Sequence, residues 1–295
     1  MAFNWQTFRT RSLTAAVFVV LMLAGLLWNQ WSFLILFSII HFGCWWEYVK
    51  LVEKIRNTTF HIYFKLGLML AGYGLMLWFC NSVYEINDYT IRKNFFLPLS
   101  VSGFVLMGFG IFLQHKVQLK ALGAALLGML YISLSWGLMM DHQREYFISK
   151  VDVGFQSIPG WHLIIVPCAI IFSIWINDTM AYIVGSLIGR TPLSKISPKK
   201  TVEGTLGGII LAVIVAAFIA RLSHFNVVAI VIIALISSVA GTLGDLLESK
   251  LKRMAGVKDS GHIMPGHGGF LDRFDSLLLA IPAVWMYVNF FLDKS

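Results

Sequence analysis

Between Ser249 and Asp275 the chain reads SKLKRMAGVKDSGHIMPGHGGFLDRFD. In a 295-residue protein that is 58% hydrophobic and 13% charged, this stretch gathers five cations and three carboxylates around a Gly-His-Gly-Gly turn. Lys250, Lys252, Arg253 and Lys258 form a cationic cluster, followed by Asp259, a turn through Gly261, Pro265, Gly266, Gly268 and Gly269, and then Asp272, Arg273 and Asp275. Glycines let backbone approach a ligand and adopt positive φ. Asp272 and Asp275 stand three apart at an expected helix start and so share a face. Just upstream, Asp245 and Glu248 make a second i, i+3 acidic pair at the end of an apolar helix. This is the composition of a magnesium–polyphosphate site: magnesium takes one or two carboxylates and completes its shell from phosphate, while Lys and Arg meet the remaining phosphate charge.

Two other segments carry charge where charge is expensive. Asn177 and Asp178 interrupt an apolar run after Ile176, and an Asp at mid-helix costs about 2.5–3.5 kcal/mol on insertion into a bilayer. Such a residue normally faces a bundle interior or polar cavity and is functional by default; the alternative is that Asp178 caps a shorter helix. Further on, the loop from Arg190 to Gly204 holds Ser197, Pro198, Lys199, Lys200, Thr201 and Glu203. Thr201, Gly204 and the apolar run from Thr205 predict a helix beginning nearby, whose N-terminal amides suit an anion. Lys199, Lys200 and Thr201 would then contact phosphate, and Glu203 would orient a lysine or the metal.

The pattern S-x-L-K-R-x-x-x-x-K-D-x-G-x-x-x-P-x-H-G-G-x-x-D-R-x-D over Ser249–Asp275 resembles the signature of the phosphatidate cytidylyltransferases, also called CDP-diacylglycerol synthases. The likeness extends to Asn177–Tyr182 and Ser197–Gly204, roughly the C-terminal 120 residues, with Met264 standing where a branched aliphatic or Phe is expected. The resemblance implies transfer of CMP from CTP to phosphatidic acid, giving CDP-diacylglycerol and pyrophosphate. It makes Asp245 and Asp272 the leading ligands for Mg2+, with Asp275 and Asp178 behind them, and one cation or two would fit. Asp245, Asp272, Asp275, Lys258 and Arg273 are the expected catalytic set. Asn177, Asp178, Ser197, Lys199, Lys200, Thr201, Glu203, Lys252, Arg253, His267, Gly268 and Gly269 are the expected substrate-binding set. His267 either touches phosphate or holds the glycine turn.

The remainder of the chain must position these residues in a membrane. A mean hydropathy of +0.75 and repeated apolar runs predict an all-α, polytopic integral membrane helix bundle, since ~20 helical residues span the hydrocarbon core. Nine transmembrane helices are expected, at 12–28, 31–46, 62–79, 97–113, 121–140, 161–189, 205–220, 227–240 and 277–291. The first is read as a retained span: it lacks a small-x-small cleavage site, and Trp28 and Trp31 suit an interfacial belt. Residues 1–155 read as membrane scaffold and 156–295 as the catalytic region with its motif loops. In the scaffold, Glu47, Glu53, Glu85, Asp88, Asp141, Glu145 and Asp152 sit at or beyond span ends, where solvated loop charges are expected.

With the N-terminus inside, seventeen Lys and Arg fall on the cytoplasmic side and six outside, the bias expected of inside-facing loops. The motif loops then face the cytoplasm, where nucleotides are, in a multi-pass protein of a bacterial inner membrane. A formal charge of +8 is accordingly a topology signal, with anionic lipid rather than nucleic acid as the surface partner. Cys44, Cys80 and Cys168 lie in or beside apolar runs without metal-ligand spacing and read as structural thiols. Small-xxx-small pairs, Gly185/Gly189 and Gly204/Gly208, permit a homodimer or close packing within the chain.

Competing classes fit less well. A secondary transporter concentrates its charges near the midplane in paired broken helices, whereas here they gather at one membrane face. The CDP-alcohol phosphotransferases carry an Asp-Gly motif, and this chain has no Asp-Gly dipeptide. A cytidylyltransferase for another lipid phosphate, of the isoprenoid-glycerol type, is the remaining alternative.

Overall fold

The structure is a computed structural model that describes residues 5–86, 89–114, 118–143, 164–263 and 268–292. In chain order the helices are α1 (Trp5–Leu27), α2 (Gln30–Arg56), α3 (Ile62–Trp78), α4 (Ile91–Phe112), α5 (Leu119–Gly128), α6 (Ser135–Asp141), α7 (Ile165–Ile188), α8 (Val202–Leu222), α9 (Val227–Met254) and α10 (Leu271–Tyr287). A π turn, Met129–Leu134, joins α5 to α6 in one continuous rod, and a second, Val288–Leu292, ends α10. The two short strands β1 (Glu85–Ile86) and β2 (Tyr89–Thr90) pair antiparallel between α3 and α4. The all-α membrane architecture holds. Among the described residues seven helices are long and apolar enough to cross a membrane, and Leu13–Leu27 and Ile62–Trp78 are shorter apolar helices.

The chain forms two compact units, which cut across the halves expected from sequence. The first joins residues up to Trp78 and Tyr84–Ser133 to Leu251–Phe274; the second comprises Phe79–Val83, Leu134–Lys250 and Asp275–Ser295.

In the first unit α2 is the organising helix. Asn29 caps it, its Oδ1 accepting from the Ser32 amide at 2.8 Å while Ser32 Oγ accepts from the Asn29 amide at 3.1 Å, a reciprocal arrangement that satisfies donors at the helix start. The π turn inserts an extra residue per turn and includes Ser133, whose Oγ receives Trp45 Nε1 at 2.8 Å and lies 3.0 Å from His41 Nε2. One turn on, Tyr48 donates to the Ala124 carbonyl at 2.7 Å. These bonds hold α2 against the α5 rod and fix its rotation.

In the second unit α7 and α8 approach closely. Gly204, Gly208, Ala212, Ala216 and Ala220 form the buried stripe of α8, while Leu206, Ile210, Ile214 and Phe218 are exposed. Small residues buried and large apolar ones exposed suit a helix whose outer solvent is lipid. Gly208 lies against Asn177 and Ala181 of α7, and Gly204 against Ala181 and Gly185, so both small-residue pairs are used inside the chain. Elsewhere Ser135 donates to the Leu278 carbonyl at 2.7 Å, tying α6 to α10.

Two acids expected in solvated loops are instead buried, Glu47 and Asp141, each 4% exposed. α2 continues past Trp46 to Arg56, which places Glu47 inside a helix, and Asp141 accepts from Trp285 Nε1 at 2.7 Å. A buried charge is tolerated where donors meet it, and both have them. Glu53 is paired with Lys65 at 2.8 Å and Glu85 is exposed; Asp88, Glu145 and Asp152 lie outside the described residues.

A side chain at position 208 would collide with the Asn177 carbonyl and Ala181. Gly208→Leu should therefore lower the Tm in detergent by the equivalent of about 1–3 kcal/mol, as overpacking does. Gly123→Leu, where a Cβ meets nothing within 4 Å, should not lower it; equal losses in the two variants would contradict the packing.

Candidate active site

The expected site residues form two clusters, one in each unit. In the first unit α9 ends at Met254 and α10 begins at Leu271; of the residues between, Ser260, Gly269 and Phe270 bind carboxylates of the protein itself. Asp272 Oδ1 takes Lys252 Nζ at 2.6 Å. Its Oδ2 accepts from the Ser260 amide at 2.8 Å, Ser260 Oγ at 2.9 Å and the Gly269 amide at 2.8 Å. Glu47, from α2, accepts from the same Ser260 hydroxyl at 2.7 Å and from the Phe270 and Leu271 amides at 2.9 and 2.8 Å. Those two amides belong to the start of α10, where backbone donors have no partner within the helix. A side chain distant in sequence thus caps it.

The glycines of the turn answer to these carboxylates. Gly268 has φ +82°, open to glycine at little cost, and a Cβ there would press on Asp272. A Cβ on Gly261 or Gly269 would collide with the Glu47 carboxylate, and Gly43, one turn before Glu47, leaves the seat for the Phe270 ring. Glu47 and Ser260 were not among the residues picked out from sequence. The available signal was the Glu itself, set in the apolar context Cys44-Trp45-Trp46-Glu47-Tyr48-Val49.

In the second unit the loop before α8 is closed on itself. Leu193 donates to the Lys200 carbonyl at 2.8 Å and Val202 to the Thr191 carbonyl at 2.9 Å. Glu203 accepts from the amides of Arg190 and Thr191, both at 3.1 Å, and from Thr191 Oγ1 at 2.8 Å. Thr201 caps α8, its Oγ1 accepting from the Gly204 amide at 3.1 Å, so the helix begins where the sequence predicts. The closed loop presents Lys200 to Asp245 of α9 as an ion pair, and Ser249 Oγ lies 3.3 Å from Asp245 Oδ1.

Other expected residues take varied positions. α7 runs unbroken through Asn177 and Asp178, which excludes the shorter capped helix. Asn177 is buried against Gly208, while Asp178 is exposed with its Oδ1 3.4 Å from Asn177 Nδ2. Asp275 is 8% exposed and accepts from the Ser276 amide at 2.6 Å. Arg253 donates to the Val257 carbonyl at 3.2 Å; Lys199, Lys258 and Arg273 are exposed, and Ser197 is half-buried with its carbonyl accepting from the Lys200 amide at 3.1 Å. His267 lies outside the described residues. Cys44 and Cys80 are buried and Cys168 partly so; burial pushes the Cys80 thiol up to about 12, which keeps it protonated and unreactive at neutral pH.

Among the described residues no group of three or more His, Cys, Asp and Glu is placed to hold a metal ion. Magnesium at a polyphosphate does not need one, because one or two carboxylates suffice with phosphate oxygens and water. Asp245 and Asp272 fit that role chemically. Each is a partly enclosed carboxylate, at 24% and 7% side-chain exposure, and each is matched by a lysine, Lys200 or Lys252, that an incoming phosphate would also attract.

A sequence model of the cytidylyltransferase family matches residues 9–291. Among curated proteins, the phosphatidate cytidylyltransferase of Staphylococcus saprophyticus is 39% identical over 184 residues, covering 57% of this chain and 68% of that protein. That of Staphylococcus haemolyticus is 37% identical over 183 residues, with the same coverage of each chain. That of Bacillus subtilis is 35% identical over 190 residues, covering 63% of this chain and 65% of the relative.

Proposed function

Because this chain belongs to the cytidylyltransferase family, we propose that it transfers CMP from CTP to phosphatidic acid, forming CDP-diacylglycerol and pyrophosphate in phospholipid biosynthesis. The observation that carries this reading is the pairing of an enclosed carboxylate with a lysine at both Asp245–Lys200 and Asp272–Lys252, in a multi-pass membrane protein. The named relatives support phosphatidic acid as the acceptor.

In this reaction a phosphate oxygen of phosphatidic acid bonds to the α-phosphorus of CTP, and the bond from that phosphorus to the bridging oxygen of the β-phosphate breaks. Phosphate monoesters have a second pKa near ~6, so the attacking oxygen is largely ionised at neutral pH and needs no strong general base. The barrier is the meeting of two anions and the charge left on pyrophosphate. Asp245 in the second unit and Asp272 in the first would each suit magnesium at a phosphate, with Asp178 and Asp275 less well suited. When bound, that cation supplies charge neutralisation at the phosphates and the leaving group. Lys200 and Lys252 turn from carboxylate to phosphate as substrates arrive, so positive charge is already in place where negative charge gathers. Lys199, Lys258, Arg253 and Arg273 widen this field for CTP and the lipid phosphate, and Ser197, Thr201 and Asn177 supply uncharged contacts. The acyl chains stay in the bilayer.

The Lys and Arg distribution supports a cytoplasmic N-terminus and cytoplasmic motif loops in a bacterial inner membrane. A maleimide applied from the cytoplasmic side should label Asp259→Cys and spare Asp152→Cys; the reverse would invert the topology. A homodimer would need surfaces other than the Gly204/Gly208 face, which α7 occupies.

The test is to incubate purified protein with magnesium, phosphatidic acid and α-labelled CTP, with labelled ATP and GTP as controls, and follow label into lipid. Label should come from CTP alone, require phosphatidic acid, and disappear with chelation. Asp245→Asn and Asp272→Asn should each abolish turnover in folded protein, and Lys200→Ala should chiefly weaken CTP use. Label only with an isoprenoid-glycerol phosphate would replace the acceptor, and label with no lipid phosphate would overturn the reading.

A further inference from the structure

Glu47 lies more than two hundred residues before the signature stretch, yet its carboxylate grips that stretch on both sides of the turn. Ser260 is on one side; Phe270 and Leu271 are on the other. One rigid helix residue therefore sets the spacing of the two ends. Asp272 is bound through the same Ser260 hydroxyl and through Gly269, the neighbour of Phe270, so wherever Glu47 holds these groups, Asp272 and its partner Lys252 follow. A carboxylate offers about four acceptor positions, and three are taken by donors of the turn. That occupancy marks a support for the site rather than a group held ready for substrate.

The surroundings are shaped for this one contact. Side chains at Gly261 or Gly269 would collide with the Glu47 carboxylate, and Gly43 on the same face of α2 receives the Phe270 ring. α2 is itself fixed in rotation, through His41 and Trp45 on Ser133 and Tyr48 on the Ala124 carbonyl. The line of contacts runs from the α5 rod through α2 to the turn.

We propose that Glu47 is a positioning residue for cytidylyl transfer, holding Ser260 and the Phe270–Leu271 amides in place so that Asp272 and Lys252 are presented to the phosphates. The catalytic half of this inference rests on the function proposed above; the positioning half does not. The test compares wild type with Glu47→Gln, which keeps the shape but offers an amide where donors need an acceptor, and with Glu47→Asp, which keeps the charge and loses reach. Two readouts are taken on full-length protein in detergent: steady-state kinetics with magnesium, phosphatidic acid and CTP, and amide hydrogen exchange of peptides covering 259–272.

Glu47→Gln should lower kcat about 10–100-fold, the usual cost of losing a supporting partner. Because the Glu47 oxygens are occupied by Ser260, Phe270 and Leu271, the loss should fall on kcat more than on KM for CTP, and Glu47→Asp should fall between the two. Exchange across 259–272 should quicken while peptides of α7 and α8 exchange as in wild type. A kcat within about threefold of wild type, or a loss that follows the fraction of unfolded protein, would overturn the proposal. If wild type transfers no CMP, the function proposed above fails instead, and exchange alone decides whether Glu47 holds the turn: unchanged exchange rejects it, faster exchange sustains it.

Discussion

A carboxylate removed from water must find donors or a cation, and in the first unit two carboxylates, Glu47 and Asp272, meet this demand from one short segment. The Ser260 hydroxyl stands within hydrogen-bond reach of both, and its single proton is shared between them. Two oxygens of Glu47 and one of Asp272 then collect four backbone amides, those of Ser260, Gly269, Phe270 and Leu271. Removing one acceptor from such a set leaves buried donors unpaired, at a cost of about 1–3 kcal/mol each. The turn cannot shift without breaking several of these bonds together.

The second unit meets the same demand by a different route. Its carboxylates are satisfied locally, Glu203 by the loop it closes and Asp245 by Lys200, which that loop delivers. α8 can bring its N-terminus to this place because its buried face is built from glycine and alanine, so that α7 lies close against it. Glycine costs helix stability relative to alanine, and here close helix contact offsets that cost. In both units lysine and carboxylate neutralise one another, at Lys200–Asp245 and Lys252–Asp272.

Much of this was legible in the sequence. Apolar runs near bilayer length locate the helices because each must satisfy its own backbone in lipid, and Thr201 marks the start of α8 because a Thr followed by an amide-rich first turn is a local cap. The sequence assigns the lysines to phosphate and the acids to magnesium; the pairing of Lys200 with Asp245 and of Lys252 with Asp272 is seen only in the fold. Glu47 was not legible: its donors are 213 to 224 residues away, and no periodicity reports a contact across that distance. Reading α2 as ending at Trp46 placed Glu47 in solvent, and the helix continues because Tyr48, Leu51 and Val52 are also buried. The glycines of the turn suggested a cradle for phosphate, whereas Gly261, Gly268 and Gly269 are accounted for by two carboxylates of the protein.

Glu47, Ser260 and Asp272 share one set of hydrogen bonds, and a double-mutant cycle tests most directly whether they act as one unit. Wild type, Glu47→Gln, Ser260→Ala and the double variant would be compared by kcat/KM for CMP transfer into lipid. Shared support of one turn predicts that the second substitution adds little to the first, with a coupling of at least about 1 kcal/mol, within the range found for residues in one network. Effects that sum to within about 0.3–0.5 kcal/mol, as for independent sites, would contradict it.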